Sequence, residues 1–261
     1  MNASPIADST QRFSNRVTHY VRSRPHYPAG LLPLLHRECG LDPADSIADI
    51  GSGTGILTEL FLKNGNPVFA VEPNGPMRLA AETAFAKYPN FNSVDATAER
   101  TSLKNAAVRF VTAAQAFHWC DRARCKAEFS RILASSGWVI LIWNDRLTEN
   151  NGFAMDYENV VQDFQTDLDR VKHQNLTAAN TTVLKEFFAP HTFKEAALDN
   201  PQQLDLDGVF GRALSSSYLP AEGTENSQKM LARLRIIFDK HAQQGRVLQP
   251  YVCRVFYGRF N

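Results

Sequence analysis

From Ser46 onward, short apolar runs alternate with stretches whose apolar residues recur at helical spacing. Residues 47–50 form a short apolar run before a glycine-rich turn, and residues 56–63 then take up a helical period. A second run, 68–71, lies between Asn66-Pro67 and Glu72-Pro73-Asn74-Gly75, and Pro76 suits the first turn of a helix over 76–87. Weaker strands follow at 91–94 and 108–113, then a helix over 121–133 with Asp121 as its cap, and a fifth strand at 138–143 after Gly137. Strand and helix alternating at this spacing predict parallel pairing with crossover helices. Ahead of this core, an apolar stretch around Leu31 to Cys39 reads as a helix ended by Gly40. After Asn150 the rhythm changes. Residues 153–190 are mainly helical in pattern, with Phe153, Tyr157, Val160, Val161, Phe164, Leu168 and Val171 on one stripe. The charges facing it (Asp156, Glu158, Asp163, Asp167, Asp169, Arg170, Lys172) read as a solvated face. Residues 193–198 form a candidate strand, 225–243 a further helix, and 251–260 are strongly β-prone.

These elements predict an α/β fold: a doubly wound, mainly parallel sheet with an N-terminal helical cap and a helical insertion after strand five. Residues 1–12 are expected to be disordered and 13–261 to form one domain. Within it, 13–45 is the cap, 46–148 the core, 149–220 a helical lid with substrate contacts, and 221–261 the part that completes the sheet.

Composition narrows the partners. The chain has 261 residues, 44% hydrophobic, with 28 basic against 27 acidic side chains, and no basic stripe of the kind nucleic acid selects. Its longest apolar runs fall far short of the roughly 20 residues that cross a bilayer, and its polar N-terminus lacks a signal core. A cytoplasmic protein, monomeric or homodimeric, acting on a small molecule is therefore expected, with neither nucleic acid nor membrane as partner. Cys39, Cys120, Cys125 and Cys253 show no CxxC spacing, so no disulfide framework and no metal is expected.

The turn Gly51-Ser52-Gly53-Thr54-Gly55 sits between a strand and a helix, where glycines permit close backbone approach and the helix start offers unpaired N–H groups. A dinucleotide-binding turn would place its third glycine one position later, where this chain has Ile56. Asp49 ends the preceding strand; a carboxylate there would repel a pyrophosphate and suit a cationic amino-acid group. Glu72 ends the second strand, about 20 residues past the turn, where an acid accepts from both hydroxyls of a ribose. Asp95 ends the third; it either accepts from an adenine amino group or serves as a turn or capping aspartate.

The stretches ADIGSGTG (48–55), AVEPN (70–74), DATAE (95–99), AAQAFHW (113–119) and LIWNDR (141–146), with RPHYP (24–28) upstream, resemble the class I S-adenosylmethionine-dependent methyltransferases, Rossmann-like enzymes with a seven-stranded sheet. Within these the chain is similar to the branch called methyltransferase type 11, or trans-aconitate methyltransferase-like. The resemblance implies S-adenosylmethionine as methyl donor and S-adenosylhomocysteine as product. It also implies roles. Asp49, Gly51, Ser52 and Gly53 would surround the methionine part, with Gly55 closing the turn; Glu72 would hold the ribose. Pro73 and Met77 would pack on the adenine, Asp95 and Ala96 would meet its polar edge, and Gln115, Ala116 and Phe117 would lie beside the sulfonium.

Methyl transfer to a sulfonium's partner nucleophile is mostly positioning and drying of the site. His118 is the candidate base, with a packing or positioning role as the alternative, and Cys120 reads as a passive thiol. Tyr20, Arg24, Tyr27, Trp119, Trp143, Arg146 and Tyr218 are candidates to line an acceptor pocket. For several of them a second role stands open: Tyr20 and Tyr27 as a lid, Trp119 as core, Arg146 bonded to the inserted segment. The expected function is methylation of a small molecule such as a carboxylic acid or secondary metabolite. A cofactor-binding but catalytically idle subunit is the alternative, and a nicotinamide-dependent oxidoreductase a weaker one.

Overall fold

A computed structural model describes residues 16–166 and 181–260. The segment expected to be disordered, and the stripe residues Leu168 and Val171 with the charges at 167, 169, 170 and 172, lie outside the described residues. The core follows the alternation read from the sequence. It runs β1 (Ile47–Ile50), α3 (Ile56–Asn64), β2 (Val68–Val71), α4 (Gly75–Phe85), β3 (Phe91–Val94), β4 (Val108–Ala114), α5 (Arg122–Ile132) and β5 (Leu133–Arg146). Before it come α1 (Val17–Ser23) and α2 (Leu31–Cys39). After it come α6 (Gly152–Phe164), α7 (Thr181–Phe188), β6 (Phe193–Asp199), β7 (Gln202–Leu204), α8 (Leu206–Leu214), α9 (Glu225–His241), β8 (Val247–Gln249) and β9 (Tyr251–Gly258).

The main sheet has seven strands in the order β3-β2-β1-β4-β5-β9-β6, with β9 antiparallel to both its neighbours and the other pairings parallel. Both faces are covered, as parallel pairing requires. Along β1 the side chains alternate: Ala48 and Ile50 join Phe129, Ile132, Phe187 and Phe188 of α5 and α7, while Ile47 packs with Leu34, Phe61 and Ala81 of α2, α3 and α4. Local chemistry sets the helix ends. Asn74, Asp121, Asn151, Asp205 and Thr224 each cap a helix by accepting a backbone N–H in its first turn, and α2 ends at Gly40 in the left-handed region.

Three sequence expectations shift. The fifth strand is longer than 138–143, because β5 is paired along both edges, with β4 on one side and β9 on the other. The boundary expected at 220 does not separate lid from sheet: β6, inside the segment assigned to the lid, joins the main sheet beside β9, while α9 packs with α6 and α8 around Tyr157, Val209, Met230 and Leu234. The face of α6 opposite its apolar stripe is not uniformly solvated. Asp156 pairs with Lys240 at 2.9 Å and His241 at 2.7 Å, Asp163 pairs with Arg233, and Glu158 turns inward to Arg146 at 2.8 Å. Among the described residues no helix is long and apolar enough to cross a membrane.

The N-terminal cap is fastened to the insertion by arginines. Arg16, itself buried, donates to the carbonyls of Leu214 (2.6 Å), Ser216 (2.9 Å) and Leu219 (2.8 Å) beyond α8. Arg24 donates to the Ser215 carbonyl at 2.7 Å, and Arg212 of α8 reaches back to the Ser23 carbonyl. Removing Arg16 strands three carbonyls that charged donors satisfied. Arg16→Met should lower stability by about 2–4 kcal/mol, measured as a fall in the urea midpoint. An unchanged midpoint would show that the cap does not depend on this anchor.

Candidate active site

At the carboxyl ends of β1 and β4 the strand order reverses, and a crevice opens there. Its floor is the glycine turn. Gly51 holds φ +64, and a Cβ on it would stand 2.6 Å from the Cβ of Ala116, so the two loops meet with room for no side chain. Gly55, at φ +87, caps α3 against the Phe85 ring, where an added Cβ would lie 2.2 Å from a ring carbon.

The cleft encloses about 830 Å³ when the open solvent at its mouth is included. Of the residues singled out from the sequence, it brings together Tyr20, Gly51, Gly53, Glu72, Pro73, Met77, Gln115, Ala116 and Trp119. A smaller recess behind the turn gathers Tyr20, Tyr27, Asp49 and Ser52. Gln115 takes a left-handed conformation (φ +54) at the end of β4, with its side-chain amide donating to the Asn144 carbonyl at 3.1 Å. A non-glycine residue held there stores strain where the chain turns into the cleft.

Two acids face this space, each satisfied differently. Asp49 is buried and accepts from the hydroxyls of Thr58 (2.7 Å) and Thr112 (3.0 Å). Burial pushes its carboxyl up to about 6 against the pull of those hydroxyls. Glu72 accepts the backbone N–H of Gly53 and that of Asn74, both at 2.8 Å, tying the glycine turn to the start of α4; burial raises its carboxyl too. Behind the turn, Ser52 Oγ and Thr54 Oγ1 are buried without a partner among the described residues. Burial also pushes the Tyr27 phenol well up, and Tyr20 and Asp49 push in the same direction.

Several candidates lie elsewhere. Asp95 is outside the lining: its carboxylate is largely exposed and pairs with Arg78 at 2.9 Å, while Ala96 packs against the core. The neighbouring Thr97, Ala98 and Glu99 line the cleft instead, along with Asn74 and Cys120. Their positions inside and beside the DATAE, AVEPN and AAQAFHW stretches were the signal that could have found them. Phe117 and Trp143 are core: they meet edge to face at 6.3 Å, and Phe117 also packs on Phe187 at 4.5 Å. His118 is not among the lining residues; its ring tilts against Trp119 at 4.8 Å, on the turn that delivers Trp119 to the cleft.

Arg146 bonds to the inserted segment, pairing with Glu158 and lying over the Tyr157 ring at 5.3 Å. Near it, burial raises the Tyr218 phenol, but the charges of Arg146 and Arg24 outweigh that and bring it below its ordinary value. Arg24 also lies over the Tyr20 ring at 4.9 Å.

The family model of the methyltransferase domain matches residues 48–141, the stretch from β1 to β5. An uncharacterized methyltransferase of Mycobacterium tuberculosis is 31% identical over 253 residues, covering 94% of each chain. The chain belongs to the methyltransferase family. Solved structures agree on the fold. One from Anaeromyxobacter dehalogenans, described as a candidate type II methyltransferase, superposes with a TM-score of 0.60 at 23% identity, over 91% of this chain and 98% of its own. A candidate methyltransferase from Bacillus halodurans gives 0.55 at 16% identity, over 88% and 98%. The class I fold of this methyltransferase implies S-adenosylmethionine as its methyl donor.

Asp49 supplies a pH test of the site's electrostatics. Its folded value of about 6 lies above the ordinary aspartate value of about 3.9. Its contribution to stability is therefore complete below the ordinary value and is lost as pH rises through the folded one. Asp49→Asn removes the titration. The variant should gain stability relative to the parent as pH rises from about 4 to about 7, followed by urea midpoints of both proteins. A difference that stays flat over that range would show that folding does not raise this carboxyl.

Proposed function

We propose that this methyltransferase binds S-adenosylmethionine across the glycine turn and passes its methyl group to a small-molecule acceptor by direct in-line displacement. The observation that carries the reading is the pairing of two buried carboxylates with orphaned hydroxyls around one glycine turn. Asp49, bonded by two hydroxyls and by no cation among the described residues, suits the ammonium of the donor's amino-acid end. Ser52 Oγ, buried without a partner, has a hydrogen bond to give to its carboxylate. Glu72 is placed to exchange its backbone donors for ribose hydroxyls, and Pro73 and Met77 offer an apolar wall for the adenine. When bound, S-adenosylmethionine supplies a methyl group already activated on a sulfonium. The chain's own contribution is then to orient and to exclude water.

Gln115, Ala116 and Trp119 form the wall beside which the acceptor approaches, with Tyr20 opposite. Since His118 lies outside the lining, we assign it the positioning of Trp119 rather than proton transfer. A carboxylate acceptor needs no base, which fits this arrangement; a carboxylic acid or a related secondary metabolite is the acceptor class proposed. Arg146, already engaged by Glu158, is not assigned to acceptor recognition.

Calorimetry with S-adenosylmethionine, S-adenosylhomocysteine and NAD tests the donor. The first two should bind and the third should not; absence of affinity for both sulfur ligands would overturn the proposal. Glu72→Ala should weaken donor binding by about 1–3 kcal/mol, roughly 5- to 150-fold. Unchanged affinity would remove Glu72 from the site. A screen of small acids for donor consumption identifies the acceptor.

A further inference from the structure

At the rim of the cleft, Cys120, Cys125 and Glu99 bring three metal-ligating atoms within 4.8 Å of one another. The cysteines are separated by four residues and flank the start of α5. Cys120 precedes the capping Asp121, and Cys125 stands in the first turns of the helix. A search for CxxC spacing passes over this pair. The fold creates it, by bending the chain from the short 3-10 turn at Phe117–Trp119 into α5. Glu99 comes from the loop after β3, where one carboxylate oxygen accepts the Asp121 N–H at 3.0 Å. That bond aims the carboxylate at the helix start. The Cys120 thiol is directed to the Ala116 carbonyl at 3.8 Å, and the buried Cys125 thiol stands beside it.

We propose that Glu99, Cys120 and Cys125 form a binding site for a thiophilic divalent cation of the zinc class, at the wall of the methyl-transfer cleft. Two sulfurs and one carboxylate oxygen select a borderline-soft ion over magnesium or calcium, which take oxygen ligands. A tetrahedral ion with metal–sulfur bonds of about 2.3 Å holds its ligands about 3.8 Å apart. The three atoms therefore need only close up slightly. The bond from Asp121 N–H to Glu99 is the kind of outer contact that fixes a ligating carboxylate.

Binding is balanced by loss of the two thiol protons: one divalent ion enters, two metal–sulfur bonds form, and two protons leave to solvent. Glu99 and Cys120 line the cleft while Cys125 lies beneath them, so the fourth position of the ion faces the cleft. A donor atom of a molecule held there could complete the coordination.

The test is a titration of the reduced protein with cadmium, then zinc, under a phosphine reductant. It is followed by the near-ultraviolet sulfur-to-cadmium charge-transfer band and by proton release. One ion per chain and about two protons per ion are expected. Cys120→Ser, at a partly exposed position, should weaken binding at least 10- to 100-fold, roughly the scale of metal-site substitutions, and at saturation should reduce the band to that of the one remaining thiolate. Glu99→Gln should weaken binding while keeping the band at saturation. Cys253→Ser, in the core away from the cluster, should bind as the parent does. Circular dichroism of Cys125→Ser separates loss of the site from loss of the fold. A reduced parent protein that takes up no cadmium, even where peroxide links the two cysteines, overturns the proposal. So do a band of parental height and parental affinity in Cys120→Ser.

Discussion

The loops after β1 and β4 meet at Gly51 and Ala116, so close that a side chain on the glycine would collide with the alanine. That contact is where the two halves of the parallel sheet diverge. On one side β1 continues to β2 and β3; on the other β4 continues to β5. Their helices leave toward opposite faces, α3 and α4 to one and α5 to the other, and the crevice between the departing chains is the cleft. A bulkier residue at 51 would push the β4 loop away and carry Gln115, Ala116 and Trp119 with it. Floor and far wall are therefore set by one close approach, and the positive φ of Gly51 is what lets the backbone make it.

Charge is distributed around that floor with an evident asymmetry. Asp49 and Glu72 are both buried, and among the described residues neither carboxylate is bonded to a cationic side chain: one is held by two hydroxyls, the other by two backbone N–H groups, while Arg78 bonds the Glu72 backbone carbonyl. Dipoles of this kind hold a carboxylate in place without cancelling its charge. The cost shows in the raised proton affinity of both acids. A ligand that brought a cationic group to Asp49 would relieve the cost of burying that carboxylate.

Wherever a local rule decided, the sequence was readable. Strand and helix alternation, capping residues and the glycine spacing gave the core order from β1 to β5, and the neighbours at 49, 51, 53, 72, 73, 77, 115 and 116 do converge. What failed were positions decided by a distant partner. Asp95 ends its strand as expected, but Arg78 of α4 reaches across and engages it at the surface. Phe117 and Trp143 read as wall residues, and they are taken by the aromatic cluster that α7 adds. Helix α8 carries two glycines and reads poorly as a helix. Gly211 is there because Ser23 of α1 packs where its Cβ would be, a constraint 188 positions away in sequence. The Cys120–Cys125 pair is similar, created by a turn into a helix rather than by motif spacing.

That α1–α8 contact also bears on access to the cleft. Tyr20 lies on α1 and lines both the cleft and the recess behind the glycine turn. Its ring is covered by Arg24, which in turn is bonded to the chain just after α8. Asn200 bonds the His26 carbonyl and the side chain of Asn144, and Asn144 accepts from Gln115 through its carbonyl. Helix α1, the chain after α8 and the cleft wall are thus joined by polar contacts, whereas α2 of the same cap packs apolarly against the sheet. Arg16 and Arg212 are buried in this seam, so their bonds are costly to break unless water or a ligand takes the place of each partner. The fold therefore closes one side of the cleft with hydrogen bonds rather than with packed side chains. A methyltransferase that must admit two ligands and then dry the space between them can use a seam of replaceable bonds at that position.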